Sequence, residues 1–386
     1  MKTALPRTVI IFGMVSLLND AASEMITPLL PLFLTVTLGA TPAILGLIEG
    51  AAEAITSVLK LYSGRLADRG WNSKGLVIGG YAISNIARPL IGLALGWPFV
   101  LVLRFLDRVG KGLRTAPRDA LLAAAVDSAQ RGRAFGFHRA MDHAGAMLGP
   151  LFAFGLLQAG VPMREVFMIS ALFGLAVMML LLWGIPSTAP LQPVAPPRLR
   201  WRDFDRRLRT LIIAAGGLAL AAAPEVFIVL WASSHGVTIV WVPLLWAAAH
   251  AVKAVIANFG GVLSDRVGRL RVVAVGWSLR AVMLFALALY DGGVAMTWTL
   301  FIAFAAASAL SEGAERALIG DVAAPEQKAS AFGLFYMISG LAALPGALLF
   351  GVLWQYVSMS GALLVSALLT ALCATFLMVA SRIRST

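Results

Sequence analysis

Charge is what this chain has least of. Of its 386 residues only 13% are Asp, Glu, Lys or Arg, while 60% are hydrophobic; an ordinary soluble domain carries about 25% charge. So few charges cannot clothe a globular surface, which argues against a soluble enzyme, a nucleic-acid reader and a disordered chain together. Cysteine is nearly missing too: Cys373 stands alone, so no intrachain disulfide forms. No Gly-x-x-x-x-Gly-Lys-Ser/Thr loop occurs, and Gly110-Lys111-Gly112 lacks both its spacing and its hydroxyl, so nucleotide hydrolysis through this chain is excluded. Neither a Gly-x-Ser-x-Gly elbow nor a His-Glu-x-x-His helix is present, which removes the hydrolase and zinc-protease signatures.

What is present is apolar length. A helical span takes about 20 apolar residues, and apolar windows with their breakers place twelve of them, near 8–36, 43–63, 75–96, 98–117, 134–158, 165–185, 209–234, 239–263, 270–290, 297–319, 329–354 and 359–381. The first resembles a signal peptide at its start, but Asp20 and Glu24 interrupt it and the apolar run resumes to Val36, so an uncleaved first span is expected. Lys and Arg exceed Asp and Glu by 12. They gather at the N-terminus, after every even-numbered span and at Arg382 and Arg384, so both termini are expected in the cytoplasm.

Residues 186–208 carry five prolines and then a run of arginines, the one long connection in the chain. It divides the sequence into expected six-helix bundles at 1–185 and 209–386. Trp201, Phe204 and Leu208 recur there at helical spacing, which fits either a short amphipathic helix on the anionic inner leaflet or a solvated basic linker. The halves also repeat. Gly64, Asp68 and Arg69 recur as Gly261, Asp265 and Arg266, and Ala134-Phe135-Gly136 recurs as Ala331-Phe332-Gly333, both at an offset of 197. Gly149 pairs with Gly346 and Gln158 with Gln355 at the same offset, the mark of a duplicated six-helix pattern.

The stretch Gly261-Val-Leu-Ser-Asp265-Arg266-Val-Gly268-Arg269 after span eight resembles the signature loop of the major facilitator superfamily (MFS). The copy at Gly64, Asp68 and Arg69 keeps the first half of the pattern and lacks the Gly-Arg pair. Arg104 and Arg108 in span four resemble the superfamily's fourth-span arginine motif. Gly145-Ala-Met-Leu-Gly149-Pro150 in span five is similar to the Gly-x-x-x-Gly-Pro of its proton-coupled antiporters, although Ala153 and Phe154 replace the usual Gly pair. The resemblance implies an all-α integral membrane protein of twelve transmembrane helices in two pseudo-symmetric six-helix bundles, with Gly64, Asp68, Arg69, Gly261, Asp265, Arg266, Gly268 and Arg269 as gating loops. It implies a secondary transporter and not an enzyme.

Ionisable groups inside a span cost at least about 2.5 kcal/mol each and mark function unless they pair structurally. The candidates for proton coupling or the substrate cavity are Asp20 and Glu24 in span one, Glu49 and Glu53 in span two, Arg104, Asp107 and Arg108 in span four, His138, Arg139 and Asp142 in span five, and Glu225 and Glu312 in the second half. His138, Asp142, His143 and Met147 have metal-ligand spacing, but no Cys joins them and no matching pair follows, so neither a metal site nor a cofactor is expected. The expected activity is proton-coupled efflux of a small organic compound; import of an organic anion is the second reading, on the arginines. An intramembrane enzyme or receptor is disfavoured, since neither explains two copies of one loop. The expected partners are a small molecule, protons and the lipid bilayer, with no nucleic acid, for a monomer in a bacterial inner membrane.

Overall fold

The computed structural model describes residues 5–127, 130–185, 201, 204–323 and 328–382, and of these the side chains of Asp68, residues 328–330, Ser381 and Arg382 are not described. Most of the segment 186–208 lies outside the described residues. Within them the chain forms twelve helical spans and no strand. These are α1 Arg7–Thr37, α2 Pro42–Asp68, α3 Ser73–Leu93, α4 Trp97–Ala124, α5 Arg131–Gln158, α6 Met163–Gly184, α7 Arg206–Ser234, α8 Val242–Val267, α9 Arg269–Leu289, α10 Val294–Val322, α11 Lys328–Tyr356 and α12 Met359–Arg382. Eleven of them are long and apolar enough to cross a membrane. The exception is α4, which carries Arg104, Asp107, Arg108, Lys111, Arg114, Arg118 and Asp119 within one helix.

Two spans expected to be continuous are broken. The α-helix of α1 runs Arg7–Ile26, turns at Thr27–Leu29 and continues as Leu30–Leu32 and a π-helical turn, Phe33–Thr37. That of α7 runs Arg206–Ala221 and resumes at Glu225–Ser234. Pro28 and Pro224 lie in the breaks, where proline removes a backbone donor and clashes with the preceding turn. They stand 196 positions apart, so the break is itself a repeated feature. The turns after α2 and α8 are repeated as well. Gly70 (φ 83°) and Gly268 (φ 98°) adopt the left-handed conformation there, which glycine alone enters without a Cβ penalty. The N-terminal copy thus places its glycine directly after Asp68-Arg69.

By compactness the chain divides into one unit of residues 1–39, 55–196 and 240–247 and a second of 40–54, 197–239 and 248–386. The first is cored by Val9, Phe12 and Val15 of α1 with Val77 and Tyr81 of α3, Leu122 of α4 and Val177 and Leu181 of α6. Its α1 and α5 touch backbone to backbone, with Gly145 against the carbonyl of Leu17 and Gly149 against that of Ala21. In the second unit Gly346 of α11 sits in the same way on Leu220 of α7. The Gly149 and Gly346 pairing read from the offset therefore has one packing role in both halves.

Phe204 and Leu208 correct the leaflet-helix reading. Both are buried, at 4% and 1% exposure, among Ile212, Ile319, Ala331 and Phe335, and Leu208 belongs to the first turn of α7. Trp201 is exposed and Phe204 lies ahead of the helix, so the three residues do not share one helix face, and Phe204 and Leu208 meet protein. Asp205 caps that helix, accepting from the amides of Arg206 (2.7 Å) and Arg207 (3.2 Å), as an N-cap aspartate does.

Arg164, in the first turn of α6, closes the end of α3. Its Nη1 donates to the carbonyls of Gly92 (2.9 Å) and Ala94 (2.7 Å), and its guanidinium lies 5.1 Å from the centre of the Phe33 ring. Helix-end carbonyls have no partner of their own. Hydrogen bonds to a charged donor contribute about 1.5–3 kcal/mol, so Arg164→Leu is expected to lower the melting temperature of the detergent-purified protein by several degrees. An unchanged melting curve would show that these carbonyls are served otherwise.

Candidate functional site

The densest charge in the first unit gathers on Asp107 of α4, which is fully buried. Its Oδ1 accepts from Nε of Arg88 on α3 at 2.8 Å, and Arg104 and Arg108 stand 3.7 and 3.9 Å from Oδ2. Arg88 also donates to the Asn19 side chain of α1 at 2.9 Å and to its carbonyl at 3.2 Å. One guanidinium therefore ties three helices. Arg114, also buried, donates to Ser84 Oγ at 2.6 Å and lies over the Tyr81 ring at 4.4 Å. The two helices come this close because glycines meet: a Cβ on Gly80 would lie 2.6 Å from the Gly110 carbonyl. The sequence reading named Asp107, Arg104 and Arg108. Arg88, a lone arginine within a span, fitted either a structural pair or a substrate contact from sequence, and its pair is Asp107; Asn19 was hidden beside the more conspicuous Asp20.

A second group joins α1 and α5. Asp142 accepts from Ser16 Oγ through Oδ1, and its Oδ2 lies 3.6 Å from His138 Nδ1 and 3.4 Å from Arg139 Nη1. His138 and Asp142 are buried, whereas the Arg139 side chain is 60% exposed. Asp20, half-buried one residue past Asn19, accepts from the Asn19 amide at 3.1 Å, and Asp142, Glu24, Lys111 and Arg114 are within its electrostatic reach. Glu24, a turn further along α1, accepts from Trp246 Nε1 of α8 at 2.9 Å. Asp20, Glu24, His138 and Asp142 thus form a chain of ionisable groups along the contact of α1 with α5. Arg104 is brought to Asp107, since residues 104 and 107 are one turn apart on α4.

Glu49 of α2 is half-buried and Glu53 is exposed. In the second unit Glu225 begins the second part of α7 and pairs with Lys253 of α8. Glu315 of α10 accepts from Trp277 Nε1 and Ser311 Oγ, each at 2.6 Å, and Arg280 lies 5.8 Å from the Phe304 ring centre, with Glu225 and Glu315 in electrostatic reach. Glu312 is taken by Arg316 of its own helix at 2.5 Å. Tryptophan donors to carboxylates at 246 and 277 left no sequence signal beyond an apolar residue in an apolar helix.

At the loops Arg269 bridges Asp265 of α8 at 3.5 Å and Asp321 of α10 at 3.0 Å, so one side chain at the start of α9 links three helices. Arg69 and Arg266 are exposed, and the Asp68 side chain lies outside the described residues. Gly64 makes ordinary contact with Ala116 and Gly112 meets Leu59. Gly260 meets the Leu310 carbonyl of α10, and a Cβ on Gly313 of the same helix would lie 3.7 Å from the Gly261 Cα, so both glycines of α8 lie against α10.

Comparison with known proteins places this arrangement. The sequence model of the Major Facilitator Superfamily matches residues 12–310 and 246–385. The chain is 29% identical over 358 residues to an uncharacterised MFS-type transporter of Methanocaldococcus jannaschii, covering 91% of this chain and 89% of that one. It is 26% identical over 198 residues to the multidrug resistance protein MdtH of Salmonella arizonae, covering 50% of this chain and 48% of that one. In fold it is similar to a bacterial homologue of the human lysosomal transporter Spinster in an inward-facing, unoccupied conformation, with a TM-score of 0.81, 17% identity and 98% of both chains covered. Eleven helices long and apolar enough to cross a membrane, paired signature loops and a family match along nearly the whole sequence have one meaning: this integral membrane protein belongs to the major facilitator superfamily of transporters.

Proposed function

We propose that the protein is a proton-coupled exporter of small organic compounds, working by alternating access as a monomer in a bacterial inner membrane, with both termini cytoplasmic. In this reading the six-helix bundles 1–185 and 209–386 rock about a central site, joined by 186–208. The observation that carries it is the carboxylate chain on α1 and α5: Asp20, Glu24 and Asp142 lie within spans, Asp20 in electrostatic reach of both others, and each accepts a hydrogen bond from a neutral donor, with Arg139 also at Asp142. Acids within spans are the groups able to relay protons across the membrane. The partial likeness to a multidrug resistance protein supports the direction. Arg269, tied to Asp265 and Asp321, serves as the gate on the second half.

A second reading, uptake of an organic anion, draws on the concentration of guanidinium groups around Asp107. One experiment separates the readings. Proteoliposomes with an imposed pH gradient are assayed for accumulation of a panel of lipophilic cations and aromatic carboxylates. Asp20→Asn, Glu24→Gln and Asp142→Asn are expected to abolish pH-driven accumulation while at least one keeps downhill exchange. Full gradient-driven transport by all three variants would remove proton coupling through these acids, and accumulation of carboxylates alone would favour the second reading.

A further inference from the structure

Two helices are unusual in belonging to both compact units without a break. Residues 40–54 pack with the second unit although α2 continues into the first, and residues 240–247 pack with the first although α8 continues into the second. These stretches correspond under the 197 offset, yet they are built differently. In the first, Gly46 and Gly50 of α2 lie on the backbone at Ala347 and Leu344 of α11, and Gly351 lies on the Pro42 carbonyl. That seam is backbone against backbone. In the second, the Phe154 ring of α5 packs on Trp241, with centroids 5.3 Å apart, and the Trp246 indole N–H donates to Glu24 of α1 at 2.9 Å. Trp246 is only 5% exposed. A proposed coupling carboxylate is thus itself a contact that holds the start of α8.

We propose that Trp246 is the positioning residue through which the charge on Glu24 is read: the indole holds the ionised carboxylate, and protonation of Glu24 releases the first turns of α8 from α1. This rests on the alternating-access reading above. The physical basis is the strength of a hydrogen bond to a charged acceptor, about twice that to a neutral one. The other ionisable groups around this contact are Asp20 on α1, through it Asp142 of α5 and Lys111 and Arg114 of α4, and His250 one turn along α8. Phenylalanine at 246 keeps the apolar ring and removes the donor.

The test uses the full chain in nanodiscs, with Cys373→Ser and a reporter Ala247→Cys, buried beside the contact. The rate of N-ethylmaleimide labelling is divided by that of a Cys at exposed Ser358 under the same conditions, which cancels the thiol's own pH response. Trp246→Phe is expected to raise the normalised rate about tenfold or more at about pH 8, the size of one lost charged hydrogen bond. Glu24→Gln, which leaves the ring packing untouched, should do the same, and the double variant no more. A parent-like rate in Trp246→Phe, or effects that multiply in the double variant, would each overturn the proposal. Failure of pH-driven transport to depend on the acids would remove the coupling reading alone, since labelling needs no substrate.

Discussion

Replacing Asp107 with Asn is expected to leave almost no folded protein to purify, and adding Arg88→Met is expected to restore a monodisperse species. Asp107 is the carboxylate against which Arg88, Arg104 and Arg108 are set, and Arg88 and Asp107 are at most 4% exposed at the side chain. Removing one member of a buried ion pair costs about 3–5 kcal/mol because the partner stays charged and unpaired. That is a large share of the roughly 5–15 kcal/mol that holds a typical domain together. Removing both charges restores balance at the price of one helix tie, which is why the double variant should recover. Fluorescence-detected size-exclusion profiles and melting curves of the single and the double variant decide it. A stable Asp107→Asn protein would show that the arginines are neutralised elsewhere, and a double variant as poor as the single would show that Arg88 is needed for Asn19 more than for Asp107.

The second large effect concerns the glycines of α5 and α11. Gly149→Val and Gly346→Val should each eliminate transport and most folded protein, and even alanine at either position should cost about 1–3 kcal/mol. A Cβ on Gly346 would lie 2.5 Å from the Leu220 carbonyl and 2.8 Å from its Cα, and one on Gly149 would overlap the Ala21 carbonyl. Backbone cannot step aside as a side chain can. Gly155 is the internal control: it lies on the same helix as Gly149, with no heavy atom within 4 Å of a Cβ. Gly155→Ala should therefore be neutral or slightly stabilising, since alanine favours the helix by about 1 kcal/mol. Equal tolerance of alanine at 149 and 155 would mean that α1 and α5 can separate without loss.

The spans were legible because lipid imposes one rule, length of apolar sequence, on every helix that crosses it. The duplication was legible because a shared offset needs no knowledge of contacts. What sequence did not carry were partners. Arg88 and Asp107 sit on different helices, and nothing in either helix names the other. Trp246 looks like any apolar residue until its N–H is found on Glu24. Phe204 and Leu208 fitted a leaflet helix or a solvated linker, and they are instead buried in protein, Phe204 ahead of the helix and Leu208 within it. The contact of Gly260 with the Leu310 carbonyl was not legible beside the motif residue Gly261, because helix rotation sets which neighbour each residue meets. Pro28 and Pro224 were in plain view, but a proline within a span signals a break only once neighbours are known to accept it.

The composition of α4 has a bearing on how the chain enters the bilayer at all. At about 2.5–3.5 kcal/mol for each charge near the centre of a span, a helix holding Arg104, Asp107, Arg108 and Lys111 has no reason to leave water for lipid by itself. Its route lies through α3, which arrives first in synthesis and presents Arg88 together with the Gly80 face that fits Gly110. The two helices are expected to enter as a hairpin, with Asp107 already held by Arg88. Membrane insertion and tertiary folding, usually successive stages, are for this pair a single event, and a defect in their contact would appear first as failed biogenesis and degradation of the nascent chain.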